Sequence, residues 1–282
     1  MDATTELEIV PLAPALGAEI RGVDLGRPLD DATVAAIRKA WLDHLVVVFR
    51  DQTLGEKDQV RFVEYFGEPV GSRSKARTDT REGGDSRVML ITNIRENGEP
   101  IGVLPDGELM FHTDSVYLEK PLMGATLYGE RVTSEGGHTL FVNMYMAYDT
   151  LPAATKARLA GLTAVNVFDY ATQVRTTRFD RSKVKHAIHP VVRTHPETGR
   201  KALYVNRLMT EEICDLPEGE SAALLAELYD HAEQRDFIYE HVWREGDLLM
   251  WDNRCTMHAR TDFPAGETRL LRRVGIEGDR PY

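Results

Sequence analysis

The chain has few cysteines, no long apolar run and no excess of positive charge, and each deficit removes a class of protein. Cys214 and Cys255 are the only two cysteines in 282 residues. They fall in no CxxC or Cys/His zinc spacing, so a disulfide framework is excluded and both are expected to be reduced thiols. No apolar stretch approaches the roughly 20 residues that a membrane span needs. The opening Met1-Asp2-Ala3-Thr4-Thr5-Glu6 lacks the basic start and apolar core of a secretory signal, which makes the cytoplasm the expected location. With 34 Lys+Arg against 45 Asp+Glu the net charge is −11, which argues against nucleic acid or an anionic membrane as the main partner. There is also no internal repeat, low-complexity tract or linker, so residues 1–282 are expected to form one domain.

What is present is an ordinary globular composition, 42% hydrophobic and 28% charged, enough to bury a sizeable core. Leu7–Leu12 and Ala18–Val23 predict short strands. A first helix follows, capped by Asp30 or Asp31, with Val34, Ile37, Trp41 and Leu45 on one face. Leu45-Val46-Val47-Val48-Phe49 is too β-branched to continue it and predicts a buried strand. Thr53 and Glu56 have capping-box spacing for a second helix that carries Val60, Val63 and Phe66 inward and stops at Gly67. Residues 71–86 and 96–108, rich in polar residues, Gly and Pro, predict loops, and the region 71–108 is expected to cover a site. Beyond Met110, short strands dominate: 123–129, 138–142, 162–168, 187–192, 202–205, 237–242, 247–251 and 270–276, interrupted by one helix over 221–232. A mainly β protein with flanking helices, built as a sandwich or jelly roll, is the expected fold class.

Three segments carry candidate chemistry. On a strand, His112 and Asp114 of Phe111-His112-Thr113-Asp114 project to one face and can grip one ion. By itself that pair is also explained by a structural or surface imidazole, since the chain has nine histidines. A strand through Leu248-Leu249-Met250-Trp251, turned at Asp252-Asn253, could bring His258 beside the pair. Two imidazoles and one carboxylate on one side of a metal leave three positions open, the arrangement of non-haem Fe(II) oxygenases, whereas zinc hydrolases favour four ligands and HExxH spacing, which is missing here. In Thr268-Arg269-Leu270-Leu271-Arg272-Arg273-Val274, alternation puts Arg269, Leu271 and Arg273 on one face and Arg272 on the other. Inward arginines suit a carboxylate, which the planar guanidinium holds through two parallel bonds; solvated arginines or ion pairs are the plainer alternative.

Taken together in order, these residues resemble the taurine dioxygenase / dichlorophenoxyacetate dioxygenase (TauD/TfdA) family over nearly the whole chain. The matching pieces are Leu16–Leu25, Val47-Val48-Phe49-Arg50-Asp51-Gln52, Tyr65-Phe66-Gly67, Phe111–Asp114, Gly136-Gly137-His138-Thr139-Leu140-Phe141, Trp251-Asp252-Asn253-Arg254 and His258…Arg269…Arg273. The resemblance implies a double-stranded β-helix, a jelly-roll variant. It implies Fe(II) held by His112, Asp114 and His258, with 2-oxoglutarate and O2 as co-substrates and succinate and CO2 as co-products. It implies further that Arg269 and Thr139 take the distal carboxylate of 2-oxoglutarate. His138 stands where the family usually has an acidic residue, so its role is left open.

Arg273, by the same resemblance, matches an arginine that binds an anionic substrate group. The substrate is therefore expected to be a small organic anion, such as a sulfonate, an aryloxyalkanoate or a similar carboxylate, hydroxylated at a C–H. Glu108 and Tyr117 occupy the neighbourhood that lines the substrate pocket. A carboxylate at Glu108 would repel an anion, which keeps an amino-bearing metabolite open. A metal-dependent hydrolase on the same triad and a jelly-roll binding module are the competing classes. A homo-oligomer, dimer or tetramer, is the implied assembly.

Overall fold

The strand Leu270–Ile276 sorts its side chains between two faces, and the molecule is layered on that division. The computed structural model describes residues 7–71, 84–104, 107–168 and 180–282. Leu270–Ile276 lies in an eight-stranded sheet ordered Glu8–Pro11, Ala18–Arg21, Val46–Phe49, Leu248–Asp252, Gly124–Arg131, Leu270–Ile276, Pro69–Val70, with Met89–Thr92 also pairing to Leu270–Ile276. Its pairings are antiparallel except that of Ala18–Arg21 with Val46–Phe49. A second sheet has four strands in the order Ile238–His241, Thr139–Asn143, Thr256–Arg260, Leu109–His112. The two sheets meet face to face, with the rings of Phe141 and Trp251 centred 5.8 Å apart. This is the jelly roll, or double-stranded β-helix, that the sequence predicts.

Period-two alternation gives the larger sheet a core on each side. Leu127, Leu249, Trp251 and Leu271 point between the sheets and join Phe141 of the smaller sheet. Their neighbours Tyr128, Leu248, Met250, Leu270 and Val274 point outward onto Ile37 and Trp41 of the helix Asp31–His44 and Val60 and Val63 of the helix Glu56–Glu64. A strand covered on both faces needs no polar face, which is why Val46–Phe49 is buried at every residue. Trp41 is fully buried, and truncating it to alanine would cost about 3–5 kcal/mol.

The first helix begins as expected: the Asp30 carboxylate accepts the Thr33 N–H at 2.7 Å. It ends at Leu45, whose N–H makes the last helical bond, to Trp41 O; its φ of 66° then turns the chain, so helix passes to strand with no intervening loop. The second helix departs from expectation. Gly55 is its cap and Asp58 accepts the Gly55 N–H, while Glu56 instead accepts the N–H of Asp85; the helix ends at Glu64 rather than Gly67. The helix expected over 221–232 starts earlier, at Glu218 after Pro217, and the Ser221 hydroxyl within it accepts the Ile213 N–H.

Several elements had no clear sequence signal. They are the helices Met144–Asp149 and Ala153–Leu159 and the strand Thr210–Ile213, which extends a three-stranded sheet with Thr163–Val167 and His186–Pro190. The expected covering region 71–108 falls partly outside the described residues. Its described portion holds the strand Met89–Thr92 and a short hairpin, Arg95–Glu96 with Glu99–Pro100, where only loop was expected. Among the described residues no helix is long and apolar enough to cross a membrane.

Candidate metal centre

Strand pairing brings the distant histidines together: His258 lies directly opposite His112, and their rings are centred 4.2 Å apart. Asp114 follows where the chain leaves the strand Leu109–His112. Its Oδ1 lies 3.9 Å from His112 Nε2 and its Oδ2 3.9 Å from His258 Nε2. One donor atom from each residue lies within 4.8 Å of the other two, and the side chains are 2%, 9% and 12% exposed in chain order. The sequence-predicted triad is thus assembled between the sheets.

The protonation of His112 is set by its neighbour. Its Nδ1 lies 2.9 Å from Met110 O, and a carbonyl can only accept, so Nδ1 carries the hydrogen and Nε2 offers a lone pair toward Asp114. Burial pushes both imidazoles below their usual range, His258 to about 3, with the other ring nearby adding to the effect there. Burial alone would raise the Asp114 carboxyl, but the Arg273 guanidinium and the two imidazoles overcome it and hold the group below the ordinary carboxylate range. Neutral imidazoles beside an ionised carboxylate form a donor set ready for a divalent cation.

Asp114 is held by its main chain as well. Asn253 Oδ1 accepts the Asp114 N–H at 2.9 Å, and Asn253 Nδ2 donates to Asp114 O at 3.0 Å and to Leu122 O at 2.8 Å. The next residue, Ser115, turns through φ 59°, so the clamp sits where the backbone departs from its strand. From the sequence Asn253 is expected only to form a turn with Asp252. Only the fold reveals that its amide spans to Asp114.

The arginines divide as alternation predicts. Arg273 donates to Asp114 Oδ2, while Arg272 goes to the opposite face, over the Tyr128 ring at 4.6 Å. Arg269 is 3% exposed; its Nη2 donates to Gly137 O at 3.3 Å, and its Nη1 has no hydrogen-bond partner among the described residues. Burial, then the nearby Arg260, disfavours its charge. A guanidinium nevertheless keeps its proton at any ordinary pH, so this cost takes the form of a demand for an anion. Gly137 makes the approach possible. It adopts φ +63°, and a Cβ there would lie 2.8 Å from Thr133 Oγ1 and 3.4 Å from Arg269 Nε.

Thr139 is buried, and its Oγ1 accepts the indole N–H of Trp243 at 3.0 Å. His138, unexplained in the sequence, is half-buried and pairs with Glu240, Nδ1 to Oε1 2.7 Å. Tyr117 packs edge-on to Phe168 at 4.9 Å beside an apolar cluster of Val116, Tyr204, Leu208 and Met209. Glu108 is exposed.

A second cluster, His195, Asp252 and Cys255, has donor atoms equally close together. Its groups are already engaged with one another. His195 Nδ1 accepts the N–H groups of Glu197 and Thr198, and its Nε2 donates to Asp252 Oδ2 at 3.0 Å. Asp252 also takes the fork of Arg254, at 2.8 and 2.6 Å. This is a structural ion-pair network and not a vacant ligand set.

The sequence matches the family described as "Taurine catabolism dioxygenase TauD, TfdA family" over residues 8–274. It is 35% identical to an (S)-phenoxypropionate/alpha-ketoglutarate-dioxygenase of Sphingobium herbicidovorans, the match covering 96% of this chain and 95% of that one. It is 32% identical to an alpha-ketoglutarate-dependent sulfate ester dioxygenase of Pseudomonas putida, covering 98% and 91%. Among solved structures, a taurine dioxygenase from Burkholderia xenovorans superposes with a TM-score of 0.81 at 35% identity, covering 98% and 92%. The fold, the His-Asp-His cluster and these matches agree, and the chain belongs to the TauD/TfdA family of iron- and 2-oxoglutarate-dependent dioxygenases.

Proposed function

We propose that this dioxygenase hydroxylates a small organic anion, with Fe(II) held by His112, Asp114 and His258 in one domain spanning residues 1–282. The supporting observation is the placement, between the same two sheets, of a three-residue donor set and a buried guanidinium whose Nη1 has no described partner. Bound Fe(II) would couple O2 reduction to oxidative decarboxylation of 2-oxoglutarate, giving succinate and CO2. Arg269 and Thr139 take the distal carboxylate of that co-substrate and fix its orientation. Arg273, on the face shared with Arg269, binds the anionic group of the substrate. The apolar cluster around Tyr117 receives its organic part, and burial of the site keeps water from the reacting C–H.

The relatives' substrates, a phenoxypropionate and a sulfate ester, carry the same two features, an anionic group and an organic body. Because Glu108 is exposed, the amino-bearing alternative gains no support from it. The test is succinate release with Fe(II), ascorbate and 2-oxoglutarate across taurine, alkyl sulfonates, sulfate esters, aryloxyalkanoates and amino acids. Stimulation by an anion of the first four classes is expected; stimulation by amino acids alone would overturn the substrate class. Adding 2-oxoglutarate to the Fe(II) protein under nitrogen should produce a weak visible charge-transfer band, and no band with metal bound would favour a hydrolase instead. A cytoplasmic location, which two free cysteines suit, and a homo-oligomeric assembly, testable by light scattering, complete the proposal.

A further inference from the structure

We infer that Trp243 is a positioning residue for the co-substrate: its indole N–H turns the Thr139 hydroxyl into a donor aimed at the distal carboxylate of 2-oxoglutarate. This rests on the placement of that carboxylate at Thr139 and Arg269 proposed above. An indole nitrogen donates and cannot accept, so at 3.0 Å the Thr139 oxygen must be the acceptor. The hydroxyl's own hydrogen is thereby excluded from that direction. Thr139 is 3% exposed and donates to no described residue, so this hydrogen is buried and in want of an acceptor. A carboxylate oxygen meets that want, whereas a second donor would not.

The indole itself has little freedom. Its ring lies edge-on to His241, centroids 4.6 Å apart at 86°, and His241 sits directly across from Thr139 on the neighbouring strand. His241 in turn is held by the Tyr239 hydroxyl at Nδ1, 3.0 Å, and lies 3.2 Å from Asp247 through Nε2. On the other side Gly129 leaves room for the indole, since a Cβ there would come within 3.3 Å of Trp243 Cε3. The other pair partner of Thr139 is Arg260, whose positive charge also acts on Arg269. A donor hydroxyl among guanidinium groups reinforces anion binding; an acceptor hydroxyl there would oppose it.

The plainer explanation is that Thr139 merely satisfies a buried tryptophan. Trp243→Phe separates the two, because it removes the N–H while leaving an aromatic ring against His241. Because the pyrrole half of the indole goes with it, Trp243→3-benzothienylalanine, which exchanges the N–H for sulfur, is measured beside it and should give the same result. The dissociation constant of 2-oxoglutarate is measured by calorimetry on the Mn(II) protein and by the charge-transfer band of the Fe(II) protein under nitrogen. It should rise roughly threefold to tenfold, the worth of one neutral hydrogen bond, with metal affinity and kcat at saturating 2-oxoglutarate unchanged. Thr139→Val should raise it at least as much, and the double variant no more than Thr139→Val alone. Unaltered affinity in Trp243→Phe beside weakened affinity in Thr139→Val overturns the inference. Unaltered affinity in Thr139→Val and Arg269→Ala as well overturns the co-substrate placement beneath it.

Discussion

Arg273 Nη2 lies 2.5 Å from Asp114 Oδ2, a bond from the larger sheet to the residue that leaves the smaller one. The guanidinium expected to meet a substrate anion therefore stands at the carboxylate expected to meet the metal. Arg273→Ala should abolish the stimulation of succinate release by substrate, while slow substrate-independent turnover of 2-oxoglutarate persists. Initial-rate measurements with and without substrate check this, and unchanged stimulation would remove Arg273 from substrate binding.

His258→Ala should eliminate tight binding of divalent metal and all succinate formation. The apo protein should remain folded, because this imidazole is held neutral and its Nδ1 has no described partner to lose. Circular dichroism with a Co(II) titration tests both halves.

Asn253→Ala removes the amide that holds the Asp114 main chain on both sides. Metal affinity should fall by about 10- to 100-fold, the usual effect of losing a group that orients a ligand. A metal titration compared with the thermal midpoint of the apo protein distinguishes this from general destabilisation.

Arg269→Lys keeps a positive charge but loses the planar fork. Affinity for 2-oxoglutarate should drop by about 10- to 100-fold, from the loss of a charge-assisted bond worth roughly 1.5–3 kcal/mol. Calorimetry on the Mn(II) protein reads the change directly.

Acid stability should depend on the Asp252–Arg254 pair. Burial opposes ionisation of Asp252, but Arg254 and His195 prevail and hold its carboxyl below the ordinary value of 3.8. A lowered folded value means that the stabilisation is complete above that ordinary value and disappears as pH falls beneath it. Arg254→Ala should cost about 3–5 kcal/mol near neutrality. It should also make the loss begin at higher pH, because burial then acts unopposed by Arg254. Urea unfolding at neutral pH and at about pH 4.5 measures both effects.

The sequence made the arginine face legible because it follows a local rule, and the metal triad legible because its residues stand in the order of a known family. Arg269, Leu271 and Arg273 follow the two-residue repeat of a strand. His112 and Asp114 were expected on one strand, but Asp114 lies just past its end, and the triad with His258 was legible through the family resemblance. The second helix cap was misplaced because Thr53/Glu56 and Gly55/Asp58 lie in the same few residues, and only the position of Asp85 shows where Glu56 is used. The clamp and the indole donor were not legible. An Asn after an Asp reads as a turn former and a Trp reads as core, and both descriptions hold. What each amide or N–H reaches depends on strands joined only in three dimensions.

His112 and His258 become neighbours through pairing between strands separated by more than half the chain. During synthesis His112 and Asp114 emerge well before His258, so the three donors come together only through long-range strand pairing and not locally as in a small zinc finger. A chain that stops short of Thr256–Arg260 presents only two of the three donor side chains, so tight metal binding is expected only once that strand has paired with Leu109–His112.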